Sequence, residues 1–327
     1  MSYTKHSPLR RILLAAAAAT LLSSPVAAQE GTIKIVVGYP AGATSDALAR
    51  VVGEAMAQRL KQTVIVENKS GAGGRIGNEV VKAATPDGTT LLMTPVATMS
   101  IFPHSFPGEL RYDPFTDFVP VAHLSNFQLG LGVATKVPAK TLAEYVAWVK
   151  ADTNQNGFYG SAAAGSLPHF FGVMFAKSAG LTLTHVPYRG TAAAMQAIGG
   201  GEIAALSTVA ADLQSLVQAD RARLLAVAGE KRSPAFPNVP TFRELGYDLV
   251  ANPWYALFAP AGTPPATVQR LAKAAIDSIN DPAVQQRLSE MGLEPTGLGP
   301  DKLAAIMKAD YERWGPVIKA SGFKPGK

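Results

Sequence analysis

Hydrophobic positions along this chain switch repeatedly between a strand period and a helix period. Ile33-Lys-Ile-Val-Val37 is apolar and β-branched at four of its five positions, the composition of a buried strand. Tyr39-Pro-Ala-Gly42 cannot extend it, and Thr44, Ser45 and Asp46 are helix-capping residues. Leu48, Val51, Val52, Ala55 and Met56 then fall on one helical face. A strand, a tight loop and a helix start leave free backbone N–H groups and the positive end of a helix dipole aimed at one point. An anion can bind there without any Lys or Arg.

The alternation continues. Further strands are expected over 63–67, 89–93, 158–160, 183–186, 203–206, 224–228 and 254–259, with extended chain from 119 to 133. Helices are expected over 79–84, 141–150 and 191–198, with a short one near Ala97. Residues 231–240 form a Pro-rich surface connection. From Pro264 onward only helices are expected, over 265–279, 282–291 and 301–320, with no strand. They need a sheet to pack on, so the chain returns to its first block. The pattern is that of an α/β protein with mainly parallel sheets flanked by helices. Four junctions carry Gly, Ser or Thr and almost no charge: Gly42–Asp46, Gly71–Gly77, Ser161–Ser166 and Gly190–Thr191. Parallel strands bring such junctions to one sheet edge. Two blocks facing each other would line a cleft with helix N-termini, a site suited to a small carboxylate.

Composition narrows this picture. The 327 residues are 47% apolar and 17% charged, enough for a large core. Lys5, Arg10 and Arg11, the apolar run Ile12 to Leu22 and the small residues Val26-Ala27-Ala28 have the form of a secretory leader cleaved near Ala28. The formal charge of +6 includes those three cations, so the remainder carries 27 basic against 24 acidic side chains, or +3. That is too mild for nucleic-acid binding, and no basic run interleaves with aromatics. The chain has no Cys, which excludes thiolate chemistry.

Enzyme readings compete with a binding site. Gly71-Ala-Gly-Gly-Arg-Ile-Gly77 has a spacing related to the dinucleotide fingerprint, but Glu67 precedes it and no acid follows at about twenty residues. A secreted α/β hydrolase acting on a small carboxylic ester would use Ser166 and His169, yet no G-x-S-x-G elbow is present. No spacing of His, Asp and Glu resembles a metal site. Asp46 has two readings: a first-turn acid favourable to the helix dipole, or an acceptor for a ligand group.

Several ordered motifs carry a family resemblance. They are Tyr39-Pro-Ala-Gly-Ala-Thr-Ser-Asp46, Val66-Glu-Asn-Lys-Ser-Gly-Ala-Gly-Gly74, Pro86-Asp-Gly-Thr-Thr-Leu-Leu92 and Tyr112-Asp-Pro-Phe-Thr-Asp-Phe118. Gly165-Ser-Leu-Pro-His169, His185-Val-Pro-Tyr-Arg-Gly190, Lys231-Arg-Ser-Pro234, Val239-Pro-Thr241 and Ala259-Pro-Ala-Gly-Thr-Pro264 follow. The chain resembles the extracytoplasmic solute receptors of tripartite tricarboxylate transporters, the Bug or TctC type. The resemblance implies a two-domain periplasmic binding protein clamshell of the type II-like kind. Its domains would be 29–122 plus 252–327, and 123–251, after a signal peptide at 1–28. It implies a monomeric periplasmic receptor, not an enzyme, that needs no cofactor or metal. Such a receptor captures a small carboxylate or related amide and passes it to integral-membrane transporter subunits. Gly42, Thr44, Ser45 and Asp46 would bind the ligand from one domain, and Ser161, Gly165, Ser166, His169, Gly190 and Thr191 from the other. Tyr39, Val96, Ala97, Tyr188 and Thr208 complete the implied lining. Three departures stand out. Ala43 replaces the usual Gly, so that loop is less free to adopt positive φ. Thr208 stands where an Asp suited to a ligand ammonium is frequent, which disfavours an amino-acid ligand. Pro95 and Val96 replace a small polar pair and make that wall drier, which favours an aromatic or less polar carboxylate.

Overall fold

The structure is a computed structural model, and it describes residues 31–325. The expected leader and its cleavage site lie outside the described residues. The first part of the chain runs β1 (Ile33–Val37), α1 (Thr44–Leu60), β2 (Val64–Asn68), α2 (Arg75–Lys82), β3 (Thr90–Pro95), α3 (Phe102–Ser105) and β4 (Phe118–Phe127). Then come β5 (Leu129–Ala134), α4 (Leu142–Ala151), α5 (Thr153–Asn156), β6 (Phe158–Ser161), α6 (Leu167–Ala179), β7 (Thr184–Pro187), α7 (Thr191–Gly200), β8 (Ala205–Val209), α8 (Gln214–Gln218) and β9 (Ala222–Val227). The last part is β10 (Trp254–Pro260), α9 (Pro265–Ile279), α10 (Pro282–Glu290), β11 (Leu293–Leu298) and α11 (Pro300–Ser321).

Two mixed sheets result. The first has the order β11-β4-β10-β3-β1-β2 and the second β7-β6-β8-β5-β9. Parallel pairing covers β2–β1–β3 and β7–β6–β8, and these strands carry the Gly- and Ser-rich junctions at their carboxyl ends. The remaining pairs are antiparallel. Ile35 and Val37 of β1 and Leu48, Val52 and Met56 of α1 are fully buried, the outcome of the strand and helix periods read from sequence.

The returning segment behaves as its need for a sheet demands: β10 inserts between β3 and β4 in the first sheet. The expectation that no strand follows Pro264 is corrected by β11. Leu293, Glu294 and Pro295 pair with Phe127, Asn126 and Ser125 of β4. Pro295 and the positive φ of Gly297 strip this stretch of a strand signature, and only an edge strand tolerates them.

The chain leaves the first sheet at Phe127 and enters the second at Leu129, so Gln128 alone makes that crossing. It returns through residues 228–253. The Gln128 amide ties both crossings together, its Nε2 donating to the Lys231 carbonyl at 3.1 Å and to Glu294 at 2.5 Å. At the start of β10, buried Trp254 donates Nε1–H to Asp310 of α11 at 2.8 Å.

The glycine run at 71–77 is a packing device. A Cβ on Gly77 would lie 2.8 Å from the Cα and 2.9 Å from the N of Gly38, so α2 meets the end of β1 backbone to backbone. Gly77→Ala must push backbone aside, and is expected to lower stability by about 1–3 kcal/mol in urea denaturation.

Candidate functional site

The first junction is fixed by its own acid. Asp46 is buried in the first turn of α1. Its Oδ2 accepts from the Gly42 amide at 3.0 Å and Arg50 Nε at 3.0 Å, and its Oδ1 accepts from Arg50 Nη2 at 2.9 Å and Asn68 Nδ2 at 2.9 Å. Burial pushes this carboxyl upward, but the bonds from Arg50, Gly42 and Asn68 outweigh it and hold the value below the usual carboxylate range. Of its two sequence readings, these bonds match the internal one, with the acid serving its own loop. Gly42 takes the positive φ of +83°, whereas Ala43 sits extended at −69°, so the residue that departs from the family pattern needs no left-handed conformation. Ala43 provides no side-chain cap, which leaves the α1 terminus without one. Ser45 is buried beneath it and Thr44 reaches outward. Tyr39 donates its hydroxyl to the Gly73 carbonyl at 2.9 Å, joining this loop to the glycine run.

Junctions in the second sheet are stitched to each other. Backbone amides of Tyr188 and Gly190 donate to the carbonyls of Ser161 and Ala162, both at 2.9 Å. Ser207 donates its hydroxyl to Pro168 O at 2.8 Å, tying the end of β8 to the start of α6. Ser166 caps α6: its Oγ accepts from the His169 amide at 3.3 Å and donates to Ala163 O at 2.7 Å. His169 Nδ1 accepts from the Gly165 amide at 3.0 Å. Ser166 and His169 are therefore joined by backbone and cap bonds, not by the hydroxyl-to-imidazole bond a nucleophile needs. Ser161 is fully buried, and its Oγ lies 2.7 Å from His185 Nε2 and donates to Ala163 O at 3.0 Å. The His169 and His185 rings stack 3.9 Å apart. Burial lowers both, His169 to about 4 and His185 to about 3 with His169 adding to the second, so the pair is neutral near pH 7. Gly190 takes φ +99° ahead of α7, and the exposed α7 terminus at Thr191 has no side-chain cap.

Thr44 of the first junction reaches Asp212, which the sequence reading missed. Asp212 lies just past β8. Thr44 on α1 donates to its Oδ1 at 3.4 Å and Thr208 on β8 donates to its Oδ2 at 3.2 Å. Burial pushes its carboxyl up to about 6, against the lowering effect of those two hydroxyls. The four-residue step from Thr208 to Asp212 was the available clue. Val96 of the first sheet's side and Leu167 of α6 come together around Asp310 and Trp314 with no room for a water, and Ala97 is half-buried. Phe323, beyond α11, packs its ring edge-on to Phe106, His169 and Phe170, leaving no room for a side chain at Gly165. Among the described residues no His, Asp and Glu cluster could hold a metal, and no helix is long and apolar enough to cross a membrane.

Two mixed sheets flanked by helices define the clamshell fold of periplasmic binding proteins. The profile described as the tripartite tricarboxylate transporter family receptor matches residues 48–323, and the chain belongs to that family. BugT of Bordetella pertussis is 31% identical over 89% of this chain and 90% of its own length. MatC of Rhodopseudomonas palustris, solved with bound malate, is 30% identical with a TM-score of 0.79 over 88% of this chain and 99% of its own. A second R. palustris protein, solved with adipate, is 27% identical with a TM-score of 0.84 over 90% of this chain and 98% of its own.

The environments of Asp46 and Asp212 carry opposite signs with pH. Asp212 has its folded value above the unfolded one, so its ionisation costs stability as pH rises from about 4 through about 6. Wild type is expected to lose about 2 kcal/mol relative to Asp212→Asn between pH 4.5 and 7.5, read from urea midpoints. Asp46 has its value lowered, so its stabilisation is present above the unfolded value and is lost as pH falls through the folded one. Asp46→Ala, which strands Gly42 and Asn68 donors, is expected to cost about 2–3 kcal/mol near pH 7 by the same measurement.

Proposed function

We propose that the chain is a periplasmic receptor, exported by a leader cleaved near Ala28, that captures a small carboxylate between two lobes without turning it over. The first lobe is built on the first sheet, through Phe127 and again from Trp254, and the second on the intervening chain. In this reading Tyr39, Gly42, Thr44 and Ser45 grip from the first lobe, over the loop that Asp46 fixes. Ser161, Gly165, Ser166, His169, Tyr188, Gly190, Thr191 and Thr208 grip from the second, and Val96 and Ala97 form the dry wall. The observation that carries it is the approach of Thr44, at the uncapped α1 terminus, to the Thr208 end of β8 through Asp212. Polar hydrogens and helix dipoles suit a carboxylate there without a balancing cation. Malate in MatC and adipate in the second R. palustris structure support the ligand class. Delivery of the solute as a monomer to membrane subunits of the tripartite tricarboxylate type is inferred from the family.

A thermal-shift screen of small carboxylates including malate and adipate tests the class. A true ligand at about a hundred times its Kd adds about 2.7 kcal/mol and raises the melting temperature. The same solutes are expected back unchanged, and small carboxylic esters unhydrolysed. Hydrolysis lost in Ser166→Ala would instead favour the hydrolase reading. Ser45→Ala is expected to weaken the best ligand about fivefold, the worth of one hydrogen bond near 1 kcal/mol, in a calorimetric titration. Ser166→Ala is expected to do the same while also losing about 1 kcal/mol of stability with its helix cap.

A further inference from the structure

The end of α11 is tied to the first lobe and touches the second. Ser100 Oγ donates to Met307 O at 3.0 Å, His104 Nε2 lies 2.8 Å from Tyr311 O, and Trp254 donates to Asp310, so the helix is fastened to the first lobe along its length. It stops at Gly322, whose φ of +69° suits a residue without a side chain. Ser321 closes the turn: its hydroxyl donates to Ile318 O at 2.7 Å and accepts from the Phe323 amide at 3.2 Å. These bonds fix the backbone at Phe323, whose side chain is half-buried.

The Phe323 ring lies on the loop 165–169, which grips the solute in the reading above. It stands edge-on to His169 and to Phe170, each 5.5 Å away between ring centres, and to Phe106 of the first lobe at 6.0 Å. A Cβ on Gly165 would lie 2.8 Å from Phe323 Cζ and 2.9 Å from Phe106 Cζ, so two rings from the first lobe close on the bare backbone of Gly165. Phe106 is backed in turn by Phe102, edge-on at 5.3 Å, and by the Arg75 guanidinium 4.5 Å from its ring centre.

The bonds among Gly165, Ser166, His169 and Ala163 all lie within the second lobe. They set the shape of the loop, whereas its distance from the first lobe depends on what packs between the two. We propose that Phe323 is a positioning residue of the ligand site, a wedge that holds the loop 165–169 at the spacing from the first lobe at which both can grip one solute. Its part is to place the loop, not to touch the solute. A ring seated on backbone meets no flexible side chain that could absorb a change, so loss of the ring lets the loop itself shift into the gap. This rests on the carboxylate-receptor reading above and adds the tail of α11 to that site.

Calorimetric titration with malate and with adipate compares wild type, Phe323→Ala and Phe323→Leu, with urea midpoints to fix the folded fraction. Phe323→Ala is expected to bind about tenfold more weakly, the scale of one or two aromatic contacts. Phe323→Leu keeps apolar bulk on Gly165 and is expected to stay within about threefold of wild type. The Phe323→Ala loss is expected to overlap with that of Ser166→Ala, on the same loop, and to add to that of Ser45→Ala on the other lobe. Unchanged affinity in Phe323→Ala, with or without a lower urea midpoint, overturns the proposal and leaves the receptor reading standing, as do losses that add fully for Phe323 and Ser166. Proton spectra of the His169 ring read the contact with no ligand present: signals that do not move in Phe323→Leu overturn the proposal even where Phe323→Ala fails to fold. Failure of the wild type to bind either acid overturns the carboxylate reading itself, and the proposal with it.

Discussion

Four hydrogen bonds converge on the Asp46 carboxylate, and the β1–α1 junction is built around the loop they hold. A buried charge is tolerated only when its lone pairs are filled. Gly42, Arg50 and Asn68 fill them from the loop, from the next turn of α1 and from β2, so a strand end, a helix start and the neighbouring strand are fixed to one point. The loop between them, which contains Pro40, is then held without a disulfide, in a chain that has no Cys. The same bonds cancel the charge of Asp46 against Arg50, and the positive end of the α1 dipole is left unquenched for something outside the loop.

Asp46 and Asp212 stand on either side of Thr44 in space, and their surroundings push them apart. One has a guanidinium and is held low; the other has two hydroxyls and is pushed to about 6. Acids treated so differently take up protons over different ranges of pH. The two histidines of the second sheet's junctions add no charge to this contest. His169 and His185 are stacked, buried and neutral, and their bonds to Gly165 and Ser161 set the shape of the loop. Neutral hydrogen bonds of this kind each contribute about 1 kcal/mol net.

What was legible in the sequence follows from locality. The β1–α1 junction is written in adjacent residues, β-branched from Ile33 to Val37, broken at Pro40 and Gly42, periodic from Leu48, and it forms as those residues dictate. Ser166 and Pro168 mark the start of α6 in the same local way. Features that depend on distant partners were not legible. The antiparallel insertion of β10 between β3 and β4 is a matter of topology, and β11 forms only because β4 offers an edge to a stretch whose Pro295 and Gly297 argue against a strand. Asp212 reads as an ordinary helix-start acid until Thr44, far away in the chain, comes to face it. Thr208 illustrates the limit best: read alone it removes an acid from the cleft, whereas the fold restores one a turn later and bonds the two together.

The two crossings between the sheets are fastened to each other. One is a single residue, Gln128, and the other is a long Pro-rich segment, yet the Gln128 amide binds that segment at Lys231 and reaches Glu294 of β11 as well. A Cβ on Gly229 would collide with the Gln128 amide, so the long crossing is pressed against the short one at the level of the sheets. Trp254, where the chain re-enters the first sheet, is fastened to Asp310 of α11. The short crossing is thus held to the long one by the Gln128 amide, while Thr44 beside the first sheet and Thr208 in the second share the Asp212 carboxyl.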